Sequence, residues 1–109
     1  KEPLRWTRVH DLPYYAYFNH SIHISKGVAC VSCHGDVSEM PLMWREHTLR
    51  MQWCLECHRN PWPRLAPLDE VYNPDWEPVP LDERPADEAH RYVDFDTVQS
   101  KIDCYTCHR

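Results

Sequence analysis

The sequence predicts a small fold, mostly coil with short α-helices and little or no β-structure, held together by something other than a large protein core. Three observations predict it. Ten prolines and only two glycines occur in 109 residues, and each proline fixes φ and removes a backbone donor, which limits helix and strand length. Hydrophobic residues make up 42% of the chain, and a domain this short buries a modest fraction of its surface and often needs a staple. Six cysteines and eight histidines supply the means of stapling.

All six cysteines fall into three pairs of one spacing, each followed by histidine: Cys30-Val31-Ser32-Cys33-His34, Cys54-Leu55-Glu56-Cys57-His58 and Cys104-Tyr105-Thr106-Cys107-His108. CxxCH is the attachment pattern of c-type haem. On one helical turn residues i and i+3 project to one side, so both thiols reach the vinyl groups on one edge of a haem, and the next imidazole takes an axial position on the iron. Other readings explain less. A structural zinc site joins two CxxC units, and three do not pair off. A redox-active CxxC needs no following histidine. Three disulfides leave the three histidines as coincidence. The sequence therefore implies three covalently bound haem c groups and predicts short helices wrapped around them, with folding coupled to haem attachment.

With His34, His58 and His108 as proximal ligands, each iron needs a sixth ligand or stays open. Five histidines (His10, His20, His23, His47, His90) and three methionines (Met40, Met43, Met51) remain, so no vacancy is required. His20 and His23 stand three residues apart just before the first motif. On a helical turn they point to one side, yet only one axial position of the first iron is free. The economical assignment gives His20 to the first haem and His23 to the second, which brings the two haems nearly into contact. The third distal ligand stays open: His10 ranks first, then a methionine (Met51 or Met40), His90 and His47. Methionine in that position gives a higher potential than bis-histidine.

The chain reads as one domain, 1–109. Residues 1–58 carry the first two haems, 59–103 form a wrapping segment rich in proline and acid, and 104–109 form the third haem site. Pro41 is positioned to start a helix running into the second motif, with Glu46/Arg50 and His47/Met51 as i,i+4 pairs. Pro61 and Pro63 stop it. A short helix near Asp94–Lys101 is expected to deliver the third motif. Trp6, Tyr14, Tyr15, Tyr17 and Phe18 are expected to pack on haem faces.

Net charge is −5, and the stretch 69–96 holds ten acids against Arg84 and Arg91. That balance argues against nucleic-acid binding. A solvated loop is the plain interpretation of the acidic stretch; a docking surface for a basic or membrane-complex redox partner is the sharper one. No stretch reaches the ~20 apolar residues a spanning helix needs. No apolar leader follows Lys1-Glu2-Pro3, so the sequence reads as a processed or excised chain.

The run "RVHDLPYYAYFNHSIHISKGVACVSCHGDVSEMPL", with "MQWCLECHRNP" and "DCYTCHR" further on, resembles the C-terminal part of the pentahaem cytochrome c subunit of alternative complex III, a membrane quinol oxidoreductase. The resemblance covers nearly the whole chain. More distantly, "FNHSIH" before CxxCH is similar to the histidine pair of cytochromes c3 and c7, where the first histidine ligates the following haem and the second a neighbouring one. This implies the same roles for His20 and His23. The larger subunit carries two further haems and usually a membrane anchor, which these residues lack, and nothing in them suggests a quinone pocket. The expected function is electron transfer through three closely packed haems in a periplasmic or extracytoplasmic redox chain, as a carrier and not an enzyme. Two other classes stay in view: a multihaem reductase with one open iron, and a haem-bearing docking subunit of a larger membrane complex.

Overall fold

The structure, a computed structural model, describes residues 2–108. Four short α-helices follow in order: α1 (His20–Ser25), α2 (Cys30–His34), α3 (Met51–Arg59) and α4 (Cys104–Cys107). Short 3-10 segments of three to six residues punctuate the rest, and no strand occurs among the described residues. This is the small, coil-rich architecture that the proline content predicts.

Each helix has a local cause. Asn19, in extended conformation, caps α1: its side-chain oxygen accepts from the Ser21 backbone N–H at 2.9 Å and from the Ser21 hydroxyl at 2.7 Å. The helix ends at Gly27, whose φ of +92° reverses the chain and whose carbonyl accepts from the Ala66 N–H at 2.7 Å. A Cβ there would stand 2.8 Å from the Ala66 carbonyl oxygen, so both the left-handed backbone and the close approach require glycine. Asp103 caps α4 through Thr106, accepting from its N–H at 3.1 Å and its hydroxyl at 3.0 Å.

Two helices differ from the sequence expectation. α3 begins at Met51, not near Pro41. Leu49 takes a φ of +56° and Arg50 is extended at φ −75°, ψ 160°; neither continues a right-handed helix. Glu46 is drawn elsewhere: its carboxylate accepts from the Trp44 indole N–H at 2.9 Å, and its stem lies against Gly35. The segment before the third motif forms only the 3-10 turn Phe95–Thr97. There the Asp94 carboxylate accepts from the Asp96 N–H at 3.0 Å, and the Thr97 hydroxyl donates to the Asp94 carbonyl at 2.6 Å. Such local side-chain bonds compete with helix propagation.

Ala29, Leu65, Ala66 and Val71 are buried, with Pro61 and Pro67 beside them in sequence. They sit where the wrapping segment crosses back over the α1–α2 link, and the Cys30 N–H donates to the Val71 carbonyl at 3.0 Å. The acidic excursion therefore seats the first motif. Elsewhere large apolar side chains lie open: Trp6 is 86% exposed, Leu42 83% and Tyr105 83%. The radius of gyration is 15.7 Å, against ~13 Å for a compact chain of about 100 residues.

Arg84 pins the excursion. Its guanidinium donates to the carbonyls of Val79 (2.9 Å), Pro63 (3.0 Å), Leu65 (3.0 Å) and Trp62 (3.4 Å). It also lies 4.5 Å from the Tyr92 ring centroid. Replacing Arg84 with alanine strands half-buried carbonyls and is expected to cost on the order of 2–4 kcal/mol. Arg84→Lys is expected to restore little, because one ammonium cannot match the planar fork. Thermal melts and proteolysis between residues 79 and 95 read both; unchanged melting of Arg84→Ala would remove the pin from this account.

Candidate haem-binding sites

The three histidines that follow the cysteine pairs share one feature: each ring has its Nδ1 fixed. His58 Nδ1 donates to the Lys101 carbonyl at 2.9 Å, and His108 Nδ1 to the Tyr15 carbonyl at 3.0 Å. His34 Nδ1 lies 3.2 Å from His10 Nε2. His23 follows the same rule from α1, with Nδ1 2.8 Å from the Asn19 carbonyl. A carbonyl only accepts, so the contacts of His58, His108 and His23 hold the proton on Nδ1 and leave the Nε2 lone pair for a metal. His34 is held below its ordinary pKa by burial and by the nearby His10 and His20 charges. His23 is lowered chiefly by burial, then by His58 and His20, against the opposing pull of the Asn19 carbonyl. Both shifts favour the neutral imidazole, the form that ligates.

α1 projects His20 and His23 towards different partners. The His20 and His34 rings face each other with centroids 6.4 Å apart and planes 3° from parallel. His23 faces His58 at 6.1 Å with planes at 57°. Two imidazoles bonded to one metal from opposite faces, each at about 2.0–2.1 Å, have ring centres roughly 6 Å apart. The ring-centre separations of both pairs match that spacing. Phe18 wedges between the two pairs, edge-on to His20 at 4.8 Å and tilted against His23 at 4.3 Å.

Space for a macrocycle accompanies the first pair. A cavity of about 480 Å³ is lined by Cys30, Cys33, His34 and His20, together with Phe18, Tyr17 and Trp53. Its volume lies in the ~300–1,000 Å³ range of cofactor pockets. Leu49, the residue with left-handed backbone, also lines it. A second cavity of about 520 Å³ lies in the excursion, lined by Arg84, His90, Tyr92 and Phe95, with no cysteine in its wall.

The thiols cluster as well. Cys33 is pushed up to about 11, first by burial and then by Cys57, Cys54 and Cys30. Cys54 is raised by burial, then by Cys107 and Cys57. Burial raises Cys57 too, with Arg64 pulling the other way. The second motif thus feels both the first and the third. The N-terminal strand of coil holds the third motif in place: the Tyr17 N–H donates to the Cys107 carbonyl at 2.8 Å, beside the Tyr15–His108 bond.

The chain matches the family described as cytochrome c7 and related cytochrome c over residues 16–109. It belongs to that family. No curated protein matches the chain. As a c7-type cytochrome it is a multihaem electron-transfer protein of the kind that holds haem c covalently and typically works in the periplasm. No helix among its described residues is long and apolar enough to cross a membrane.

The other candidate ligands of this cytochrome belong to neither facing ring pair, though one of them touches the first. His10 is carried to His34, its ring edge-on at 4.3 Å. His47 stacks on Trp53 at 5.1 Å. His90 is exposed, with Nδ1 3.0 Å from the Asp87 carbonyl of its own turn. Met51 opens α3 and is 59% exposed; Met40 closes the Val37–Glu39 turn. The ring nearest His108 is Tyr15, at 5.7 Å. The Nδ1 acceptors Lys101, Tyr15 and Asn19 escape sequence reasoning because they act through main-chain oxygen, which every residue has.

Proposed function

We propose that this c7-type cytochrome carries three haem c groups as a short, continuous electron path. Cys30 and Cys33 on α2, Cys54 and Cys57 on α3, and Cys104 and Cys107 on α4 would hold them. His34 with His20 and His23 with His58 would close the first two irons, and His108 would take the proximal position of the third. With His10 Nε2 directed at His34, the remaining donors for the third iron's distal position are Met51, Met40, His90 and His47. When bound, the haems supply reversible one-electron chemistry at iron. The chain's own residues orient the imidazoles, line the first cavity with the aromatic rings of Phe18 and Trp53, and set the local charge.

The observation that carries this reading is the division of labour on α1. Neighbouring histidines on one turn face proximal histidines of two different motifs, so any groups held there stand side by side. Side-by-side redox centres form a path; isolated ones do not. We infer a periplasmic setting with protein redox partners. Arg91 pairs with Asp69, Glu70 and Glu88, while Asp75, Glu77, Asp82, Glu83, Asp87, Asp94 and Asp96 are exposed. That acidity suits a basic partner. The sequence resemblance to the alternative complex III subunit supports a partner within a membrane redox complex.

Mass spectrometry and a pyridine haemochrome assay of protein matured in a periplasm test the stoichiometry, with three haems expected per chain. A reductive titration is expected to consume three electrons per chain. The near-infrared methionine–iron charge-transfer band then assigns the third distal ligand as methionine or histidine. One or two haems in fully matured protein would overturn the three-centre path.

A further inference from the structure

Among the described residues, His10 is the one side chain that meets the Nδ1 of a CxxCH histidine. His58 and His108 direct theirs at backbone carbonyls, whereas His34 Nδ1 is 3.2 Å from His10 Nε2, with the two rings at 81°. We propose that His10 is a positioning residue for the first haem: it accepts the hydrogen bond from His34, fixes that ring's rotation, and tunes the potential of the iron His34 holds. This rests on the proposed haem at Cys30 and Cys33.

Two consequences follow from the geometry. An acceptor on Nδ1–H shifts electron density towards Nε2 and raises ligand basicity, which favours ferric iron and lowers the potential. An edge-on acceptor also defines the plane in which His34 lies. His34 and His20 are held within 3° of parallel, and nothing within a single-bonded imidazole enforces that angle. Phe18 lies edge-on beside His20, a weaker constraint than the hydrogen bond at His34. The His10 backbone is held in turn by the coil that runs to Tyr15 and Tyr17, which bond the third motif. The first haem's surroundings and the third motif therefore share one strap.

The test uses the haem-loaded protein and electron paramagnetic resonance during potentiometric titration. Nearly parallel imidazoles give a rhombic low-spin signal, which identifies the first haem. In His10→Ala that haem is expected to reduce more easily, by about tenfold in its ferrous-to-ferric ratio at a fixed poise, or 59 mV for one electron. Its rhombic signal is expected to broaden as His34 gains rotational freedom. The second haem's signal stays. His10→Gln, which presents an amide oxygen, is expected to recover most of both effects. An unchanged potential and signal in His10→Ala would overturn the proposal and leave His10 as packing. A new high-spin signal in His10→Ala, with the rhombic signal intact, would overturn it too and make His10 an iron ligand of another haem. Wild-type protein lacking haem at Cys30 and Cys33 would instead defeat the underlying site assignment, a result separable by peptide mass mapping.

Discussion

On the proposed three-haem scheme, replacing His23 with alanine is expected to convert one haem from low-spin to high-spin, and that haem is the second, not the one whose motif follows it in sequence. His23 lies seven residues before Cys30 and 35 before His58, yet its ring faces His58 at 6.1 Å. Removing it takes away a nitrogen donor that favours ferric iron. The second haem should therefore rise in potential and bind carbon monoxide or cyanide without denaturation. The first haem should keep its ligands, because His20 and His34 face each other independently.

Ring planes make the assignment readable. Parallel imidazoles donate into the same iron d orbital and separate the two orbitals they can reach. Rings crossed at a large angle act on both and separate them less. The 3° pair should give a rhombic ferric spectrum and the 57° pair a more axial, more anisotropic one. In His23→Ala the axial signal should disappear and a high-spin signal take its place, with the rhombic signal intact. In His20→Ala the rhombic signal should be the one that goes. Loss of the rhombic signal in His23→Ala would reverse the pairing, and the absence of any high-spin signal would end the role of His23 as a ligand.

The parts of this molecule that were legible in the sequence are local in the chain. CxxCH is a spacing within one helical turn, and so is the His20–His23 interval that α1 realises. Proline-driven loss of regular structure is also a per-residue property. The unreadable parts depend on contacts across long separations and on groups that sequence does not distinguish. The Tyr15 carbonyl meets His108 across 93 positions and the Lys101 carbonyl meets His58 across 43. The i,i+4 pairs Glu46/Arg50 and His47/Met51 look helical, but Leu49 in the left-handed region and Glu46 turned to Trp44 override them. Such pairs contribute only ~0.2–0.5 kcal/mol each, too little against a competing tertiary arrangement. His10 shows the same limit. As a spare histidine it was a natural candidate for a vacant axial position, and only the fold reveals that it lies against His34.

A variant with all six cysteines replaced by alanine is expected to lose most of its helical far-ultraviolet signal and its amide protection together. The helices span four to nine residues, and isolated helices shorter than ~12–15 residues are marginal in water. Their stability must come from packing, yet beside Leu65 and Val71 the buried residues among those described are small or are prolines, namely Gly27, Ala29, Ala66, Pro61 and Pro67. The side chains that could supply more, Tyr17 at 53% exposed, Phe18 at 47% and Met51 at 59%, surround the haem-binding region instead of one another, and Tyr17 and Phe18 line the first cavity. A haem face gives them something to cover. The loss should also be uneven when motifs are removed singly. The second motif lies close to both Cys33 and Cys107, and its His58 ties α1 through His23 to the excursion through Lys101 and Ser100. Cys54→Ala with Cys57→Ala should therefore destabilise the chain more than the same change in the third motif, which is tied to the fold through the Tyr15 and Tyr17 backbone. Native-like circular dichroism with slow amide exchange in the six-alanine variant would show that the excursion and its small core fold without the cofactor. The Arg84 latch and the Leu65–Val71 packing would then be the nucleus of the protein, and the haems passengers on it.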